Sequence, residues 1–314
     1  MTKNFRGKYP IFSPSIKFKA KLGKEIRSAM SLSNQKTTDI SIIGHRGARG
    51  LVPENTLSSF IEAVKLGAHS LELDVVISRD RQVVVSHEPW MNDEFCSKPD
   101  GTAVEPNSRE KYNIYKMDYA EIRKFDCGKR GNANFPDQKA IPEYKPLLGE
   151  MISTIEAFTK TNRLSPIKYT IEIKSEEAED WIFNPDPKSF VDLVWNEVSK
   201  HTILDRCVLQ SFDVRILQEL NKKHPETTLA LLVENRDSLE INLKRLGFVP
   251  PIYSPEFILI DESLINELKK LHVKLIPWTV NEEVDMIRLI NMGVAGIITD
   301  YPNRAIKVVR ELFS

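Results

Sequence analysis

The stretch ISIIGHRGARGLVPENTLSSFIEAVKLGAHSLELDV, residues 40–75, contains a complete strand–helix–strand unit. Apolar runs predict one strand over 40–45 and a second over 70–76. Between them, apolar residues at helical spacing predict a helix over 56–66, which Gly67 ends. A helix that joins two buried strands is typical of a parallel sheet, because parallel strands need a crossover connection.

The same alternation continues to the end of the chain. Further strands are predicted at 82–87, 169–174, 207–211, 228–233, 251–254, 274–280 and 296–299. Further helices are predicted at 118–125, 213–223, 261–271, 282–292 and 304–312. About eight such units predict an α/β protein with a (β/α)₈ TIM barrel. An open doubly wound sheet is the alternative, because periodicity does not distinguish a closed sheet from an open one.

Two segments depart from the alternation. Residues 78–81 leave no room for a helix, so we expect the second and third strands to form a hairpin. Residues 88–148 are polar and rich in Pro, Asn and Gly, and we expect an insertion subdomain or lid at the barrel mouth. The predicted organisation is a basic N-terminal arm over 1–38, loosely ordered or peripheral, followed by the barrel over 39–314.

The charge of the chain is balanced but unevenly distributed. Lys and Arg together number 44, as do Asp and Glu, which argues against a nucleic-acid binder. Residues 1–36 nevertheless carry nine Lys or Arg and one acid, Glu25. Apolar residues at 18, 22 and 26 give this arm a weak amphipathic pattern. A solvated arm is the favoured interpretation, and contact with an anionic membrane surface is the alternative.

The cysteines are few and widely spaced. Cys96, Cys127 and Cys207 contain no Cys-x-x-Cys pair, so we predict neither a disulfide framework nor a zinc site. This favours a reducing compartment. The sequence shows no secretory signal and no apolar run of about 18 residues. We therefore expect a cytoplasmic protein, with a periplasmic or membrane-peripheral location as the alternative, and the oligomeric state is left open.

Charged side chains interrupt two of the predicted strands. In the strand over 70–76, Glu72 and Asp74 share one face, and apolar side chains occupy the other. Glu172 and Lys174 share a face of the strand over 169–174 in the same way. In a barrel the apolar face packs against the helices, so the charged side chains are expected to point inward, near the carboxyl ends of the strands.

Three carboxylates inside one barrel are costly unless a positive charge compensates them. A hard divalent cation, Ca²⁺ or Mg²⁺, suits a ligand set made only of oxygen atoms. Glu72, Asp74 and Glu172 are therefore the predicted metal ligands. The alternative is a structural network of ion pairs with Lys174 and Arg46.

Two histidines occupy equivalent positions at strand ends. His45 ends the first strand and His87 ends the third, which places both at the catalytic end of a barrel. Together they suggest an acid–base pair. Arg46 adds a fork of donors suited to phosphate, and glycines around it allow close approach. This set fits phosphodiester cleavage, in which cations hold the developing charge.

The motifs of the chain resemble those of the glycerophosphodiester phosphodiesterase family over residues 40–312. In order they are GHRGARGLVPENTLSSF, GAHSLELDVVIS, VVVSHE, IEIKS, VLQSFD, PWTVN and GIITDYP. The resemblance implies a barrel similar to bacterial phosphoinositide phospholipase C. It also implies hydrolysis of glycerophosphodiesters to glycerol 3-phosphate and an alcohol, through a cyclic phosphate.

The resemblance also implies individual roles. His45 is the expected base and His87 the expected acid. Arg46 and Lys174 are expected to contact the phosphate, and Trp278 to line the pocket for the glycerol or alcohol part. The three carboxylates are expected to hold the divalent cation.

One motif departs from the family pattern. The family normally has His-Asp where this chain has His87-Glu88, and a short segment where this chain has the insertion. The identity of the alcohol therefore stays open. A lysophospholipase D-like activity on lipid-bearing diesters is the alternative, and a non-catalytic binding barrel is a weaker one. We interpret Asn55 and Thr56 as caps of the following helix and leave the role of Glu54 open.

Overall fold

The structure is a computed structural model and describes residues 40–314. The predicted basic arm, with its amphipathic pattern and its alternative of membrane contact over 1–36, lies outside the described residues. Within residues 40–314, no helix has the length and apolar character that crossing a membrane requires.

Within residues 40–314, nine strands form one sheet. They are β1 (Ser41–Gly44), β2 (Ser70–Ile77), β3 (Val83–Val85), β4 (Lys168–Ile173), β5 (Cys207–Ser211), β6 (Thr228–Val233), β7 (Ile252–Pro255), β8 (Lys274–Leu275) and β9 (Gly296–Thr299). Eight of them are parallel, in the order β8-β7-β6-β5-β4-β2-β1-β9. The remaining strand, β3, pairs antiparallel with β2, as the short connection between them predicts.

Backbone hydrogen bonds close the sheet between its first and last members. Ala295 N donates to Leu275 O at 2.8 Å, and Ile298 N donates to Pro277 O at 2.9 Å. Val280 N donates to Ile298 O at 2.9 Å. The chain after β8 is therefore joined to β9, and the predicted (β/α)₈ barrel is confirmed.

Helices cover the outside of the barrel, and one short helix, Tyr119–Ile122, belongs to the segment after β3. They are α1 (Leu57–Leu66), α2 (Tyr119–Ile122), α3 (Leu148–Thr161), α4 (Pro187–Val198), α5 (Val214–Lys223), α6 (Leu239–Leu246), α7 (Glu262–Lys270), α8 (Glu283–Met292) and α9 (Pro302–Phe313). Helices α3, α4 and α6 were not predicted from the sequence. Helix α4 nevertheless has clear start signals, since Asp186 caps it and Pro187 occupies its first turn.

The alternation of β2 separates the hydrophobic core from the site. Leu71, Leu73 and Val75 belong to the large core between barrel and helices. Glu72 and Asp74 lie on the opposite face, inside the barrel, as predicted. The same inner face continues beyond the carboxylates to Val76, which packs into a second, smaller core.

That second core belongs to the segment that follows β3. It contains Met91, Phe95, Tyr112 and Ile122, together with Val76 of β2. The segment therefore packs on the part of β2 that extends beyond the carboxylates, at the catalytic end of the barrel.

A disulfide joins Cys96 to Cys127 inside this segment. The prediction that the cysteines form no disulfide was therefore wrong. Ser97 and Asp126 exchange backbone hydrogen bonds of 2.6 and 3.1 Å, which brings the neighbouring cysteines together. An odd count allows one pair and one free thiol, and Cys207 is that buried free thiol.

Candidate active site

Three carboxylates converge inside the barrel. Glu72 and Asp74 of β2 and Glu172 of β4 each place an oxygen within 4.8 Å of the others. Asp74 and Glu172 are direct partners across the two neighbouring parallel strands. All three side chains are buried. The strand register thus brings together the three residues predicted as metal ligands.

The carboxylates perturb one another because they are close and buried. Burial, followed by the negative charges of Asp74 and Glu172, raises the pKa of Glu72 well above its ordinary value. Burial also raises the pKa of Glu172, against the opposing effect of Lys174. Burial works in the same direction on Asp74, but the charge of Arg46 prevails and lowers the pKa of Asp74.

The oxygen atoms around the cluster fit a hard cation. Asp74 Oδ1 and Gln210 Oε1 are buried and have no hydrogen-bond partner among the described residues. Gln210 Nε2 donates to Glu72 Oε1 at 3.3 Å, which fixes the amide beside the cluster. Unsatisfied buried oxygens are costly, and a divalent cation would satisfy them. The cluster could therefore hold a divalent metal ion.

His45 is held by a carboxylate from the last strand. Its Nδ1 lies 2.7 Å from Asp300 Oδ1, and Asn281 Nδ2 donates to the other oxygen of Asp300 at 2.7 Å. Burial lowers the pKa of His45, although Asp300 opposes this shift. Burial also acts to raise the pKa of Asp300, but His45 and other neighbours bring it to about 2. His45 is thus oriented by an ionised carboxylate and favours its neutral form.

His87 has a comparable partner in the residue that follows it. Its Nδ1 lies 2.8 Å from Glu88 Oε1, and its Nε2 lies 3.2 Å from Lys174 Nζ. Lys174 in turn forms a 2.8 Å ion pair with Glu172. Glu88, which replaces the aspartate of the family pattern, therefore orients the second histidine.

Arg46 is fixed by acidic side chains on two sides. Its NH1 donates to Glu54 Oε1 at 2.7 Å, and its Nε lies 3.3 Å from Asp74 Oδ2. Arg49 Nε donates to the other oxygen of Glu54 at 2.6 Å. Glu54, whose role the sequence analysis left open, thus positions two arginines at the site.

Asn55 does not cap the helix that follows it. Its Nδ2 donates to Asp74 Oδ2 at 2.9 Å, so this interpretation of Asn55 was wrong. Thr56 does cap α1, because Ser59 N donates to its side chain at 3.2 Å. Asn55 has a positive φ of 56°, and its side chain meets the carboxylate cluster at Asp74.

The predicted site residues surround one cavity of about 210 Å³. Its lining includes His45, Arg46, Glu72, His87, Glu172, Lys174 and Trp278, together with Arg49, Gln210 and Phe212. Asp74 is not among the lining residues but belongs to the same carboxylate cluster. The structure therefore brings all eight predicted site residues together.

Four residues that support this site were not predicted from the sequence: Asn281, Asp300, Gln210 and Arg49. Asp300 follows the last strand directly, in the position that His45 holds after the first strand. A polar residue directly after a barrel strand indicates a site residue, so the sequence contained a signal for Asp300. Gln210 alternates with buried apolar residues in β5, which was a second one.

Comparison with known families agrees with this geometry. The family model of the glycerophosphoryl diester phosphodiesterase family matches residues 45–304. A glycerophosphodiester phosphodiesterase of Bacillus subtilis is 28% identical over 287 residues, which cover 90% of each chain. Human lysophospholipase D is 26% identical over 290 residues, which cover 83% of each chain.

Solved structures share the fold. A structure from Silicibacter pomeroyi is 28% identical, with a TM-score of 0.79 over 88% of this chain and 95% of that one. An Oleispira antarctica phosphodiesterase, solved with sn-glycerol-3-phosphate, is 22% identical. Its TM-score is 0.68 over 86% of this chain and 96% of that one. The barrel, the assembled site and the family match lead to one conclusion: the chain belongs to the glycerophosphoryl diester phosphodiesterase family, and it is a phosphoric diester hydrolase.

Proposed function

We propose that the enzyme hydrolyses glycerophosphodiesters to glycerol 3-phosphate and an alcohol by histidine acid–base catalysis. One observation carries the proposal. Two histidines, each hydrogen-bonded to its own carboxylate, line one cavity beside a buried cluster of three carboxylates. Such a site can take a proton on one side of a phosphodiester and supply one on the other.

His45 acts as the base in the first step. Asp300 holds its Nδ1, which leaves Nε2 free to take the proton of the glycerol 2-hydroxyl. The 2-oxygen then attacks phosphorus while the bond to the leaving alcohol breaks. Protonated His87 supplies its Nε2 proton to the leaving oxygen. The products of this step are a cyclic phosphate and a free alcohol.

The same histidines exchange roles in the second step. His87 takes a proton from water, and the resulting oxygen attacks the cyclic phosphate. His45 returns its proton to the 2-oxygen as that bond breaks, which gives glycerol 3-phosphate and restores both histidines.

Cationic groups hold the phosphate during both steps. Arg46 and Lys174 line the cavity together with the histidines. Glu72, Asp74 and Glu172 would hold the divalent cation, Ca²⁺ or Mg²⁺, which when bound supplies charge that stabilises the phosphorane-like transition state. The ion pairs of Arg46 and Lys174 with acidic neighbours keep both cations oriented before substrate arrives.

The decisive experiment measures release of glycerol 3-phosphate from a panel of glycerophosphodiesters. Purified enzyme is treated with EDTA, and Ca²⁺ or Mg²⁺ is then added back. The proposal expects release that EDTA abolishes and one of the ions restores. The proposal is rejected if the enzyme releases glycerol 3-phosphate from none of the diesters.

A lysophospholipase D-like activity is the second candidate. It is supported by the likeness to human lysophospholipase D and by the loop after β4, where Trp181 and Ile182 are 62% and 44% exposed. Exposed apolar residues suit contact with a lipid chain. Turnover of lysophosphatidylcholine without turnover of glycerophosphocholine would favour this candidate.

The disulfide revises the proposed location. Disulfides persist in oxidising compartments and are rare in the reducing cytoplasm. The Cys96–Cys127 bond therefore supports the periplasmic or membrane-peripheral alternative over the cytoplasmic expectation. Alkylation of free thiols in each cell fraction tests this, because the proposal expects one reactive site after unfolding instead of three.

A further inference from the structure

A second cavity, of about 380 Å³, adjoins the catalytic one. The two cavities share His87, Glu172, Lys174, Phe212 and Trp278. His45 lines the catalytic cavity alone, whereas His87 lines both. A diester that places its glycerol beside His45 therefore extends its leaving alcohol past His87 into this second cavity. We name it the aromatic–acidic cavity because Trp90, Phe212 and Trp278 line it together with several glutamates.

Aromatic rings form part of its wall. The rings of Phe212 and Trp278 meet at 89°, with their centroids 5.4 Å apart, and so form a corner. Trp278 is fixed by a 2.8 Å hydrogen bond from its Nε1 to Ser254 O. Trp90, the third residue after His87, contributes another ring. It packs edge-on against Phe183 at 5.5 Å, so its position is supported from behind.

The remaining wall is acidic. Four carboxylates outside the metal cluster line the cavity: Glu88, Glu176, Glu179 and Glu234. Lys174 is the one Lys or Arg side chain among the described residues of the lining, and it is already paired with Glu172. His87, which also lines the cavity, is hydrogen-bonded to Glu88. Arg109 lies over the rings of Trp90 and Phe183 but outside the lining.

Two of these carboxylates are only partly compensated. Glu88 Oε1 lies 2.8 Å from His87 Nδ1, and the charge of Arg109 acts on Glu179. Glu88 Oε2 is buried and makes no hydrogen bond with any described residue. Burial and the neighbouring charge of Glu176 raise the pKa of Glu179. The wall therefore favours a positive charge and repels a negative one.

We propose that the aromatic–acidic cavity binds the leaving alcohol through a cationic head group, a quaternary ammonium or ammonium alcohol. Aromatic faces attract such cations through their quadrupoles, and the four carboxylates add a direct electrostatic attraction. This inference rests on the proposed function, because that function places the leaving alcohol beside His87. It adds a preference set by residues of the loops after β3, β4 and β6.

The test compares two substrates of equal shape. Glycerophosphocholine carries a trimethylammonium group, and its 3,3-dimethylbutanol analogue has a neutral carbon in place of the nitrogen. We expect kcat/KM for the choline ester to exceed that of the analogue by about tenfold or more. Equal values, with both esters hydrolysed, would overturn the cavity's preference and leave the proposed function standing.

Absence of turnover for every ester would reject the proposed function instead. The preference of the cavity for a cation is then tested by calorimetric titration of the purified enzyme with choline and with 3,3-dimethylbutanol. Preferential binding of choline supports the cationic subsite, and equal or absent binding overturns it.

A triple variant tests whether the acidic wall causes the preference for the choline ester. In Glu176→Gln/Glu179→Gln/Glu234→Gln, the ratio of kcat/KM between the choline ester and the analogue should fall toward one. Because the ratio compares two substrates on one protein, partial loss of folded enzyme does not change it. Glu226→Gln is the matched control, since Glu226 is exposed and precedes β6, at the opposite end of the barrel. An unchanged ratio in the triple variant would overturn the proposal.

Discussion

His45 Nδ1 and Asp300 Oδ1 lie 2.7 Å apart, although 255 residues separate the two side chains along the chain. The reason is strand pairing: β1 and β9 run parallel, and Gly44 is the partner of Thr299. His45 and Asp300 are the next residues on each strand, so closing the sheet brings them together. The proposed catalytic base is thus oriented by the residue that follows the strand closing the barrel.

Asp300→Asn tests this relationship. The variant keeps the shape of the side chain but removes the charge that selects the His45 tautomer and stabilises its protonated form. We expect kcat to fall by roughly 10²–10⁴-fold, with a smaller change in KM. Asp285→Asn, at a half-buried position on α8 that lies outside both cavities, is the control and should retain the parent rate. An Asp300→Asn enzyme with the parent kcat would contradict the assignment.

The same variant should change the pH profile in a defined direction. The base must be neutral, so activity falls as the pH drops through the pKa of His45. Burial lowers that pKa, and Asp300 raises it. Removal of the Asp300 charge therefore lowers the pKa of His45 further, and the acidic limb of kcat/KM should move to lower pH. A shift to higher pH would show that Asp300 does not act on His45 in this way.

Local sequence patterns predicted the strands that carry the site. Alternation placed Glu72 and Asp74 on the inner face of β2, and the strand ends located His45 and His87. These predictions succeed because strand period and parallel topology act over a few residues. Asp300 could not be assigned to His45 in this way, because their pairing depends on the register across the closing seam.

Two errors have local structural causes. Asn55 precedes a helix, where a capping role is common, but its positive φ directs the side chain to Asp74. The Cys96–Cys127 bond lies in a segment without regular periodicity, where pairing of Ser97 with Asp126 determines which cysteines meet. Neither the partner of Asn55 nor that of Cys96 can be read from residue type or spacing alone.

A substrate with a good leaving group tests His87 as the acid. In His87→Ala, kcat on a choline ester should fall by roughly 10²–10⁴-fold, because the departing alkoxide needs a proton. A p-nitrophenyl ester releases a stable anion, so the rate of p-nitrophenolate release in the first turnover should fall by less than about tenfold. His201→Ala, outside both cavities, is the control. Equal losses on both esters would contradict the acid role.

Removing one charge from the carboxylate cluster should have opposite effects on Tm in the absence and in the presence of metal. The pKa of Glu72 is raised in the folded state, so charging it at neutral pH opposes folding, and this cost disappears below its unfolded pKa. In EDTA, Glu72→Gln should therefore raise Tm by roughly 2–4 °C at neutral pH. The same variant should lose the increase in Tm that Ca²⁺ or Mg²⁺ gives the parent enzyme.

Differential scanning calorimetry with and without each ion measures both effects. Glu226→Gln serves again as the control and should match the parent in both conditions. A Glu72→Gln protein that is destabilised in EDTA, or that keeps the metal-dependent increase, would contradict the assignment of this cluster.

The disulfide should stabilise the insertion and, through it, the aromatic–acidic cavity. It closes a loop with a sequence separation of 31, for which loss of unfolded-state entropy contributes about 3–4 kcal/mol. The double variant Cys96→Ser/Cys127→Ser should therefore unfold at lower denaturant concentration, and reductant should affect the parent but not the variant. The second core continues from Val76 of β2. Loss of the disulfide should loosen this core and displace Trp90, so KM for the choline ester should rise more than kcat falls. A variant with parent stability and a parent response to reductant would show that the two cysteines are not bonded.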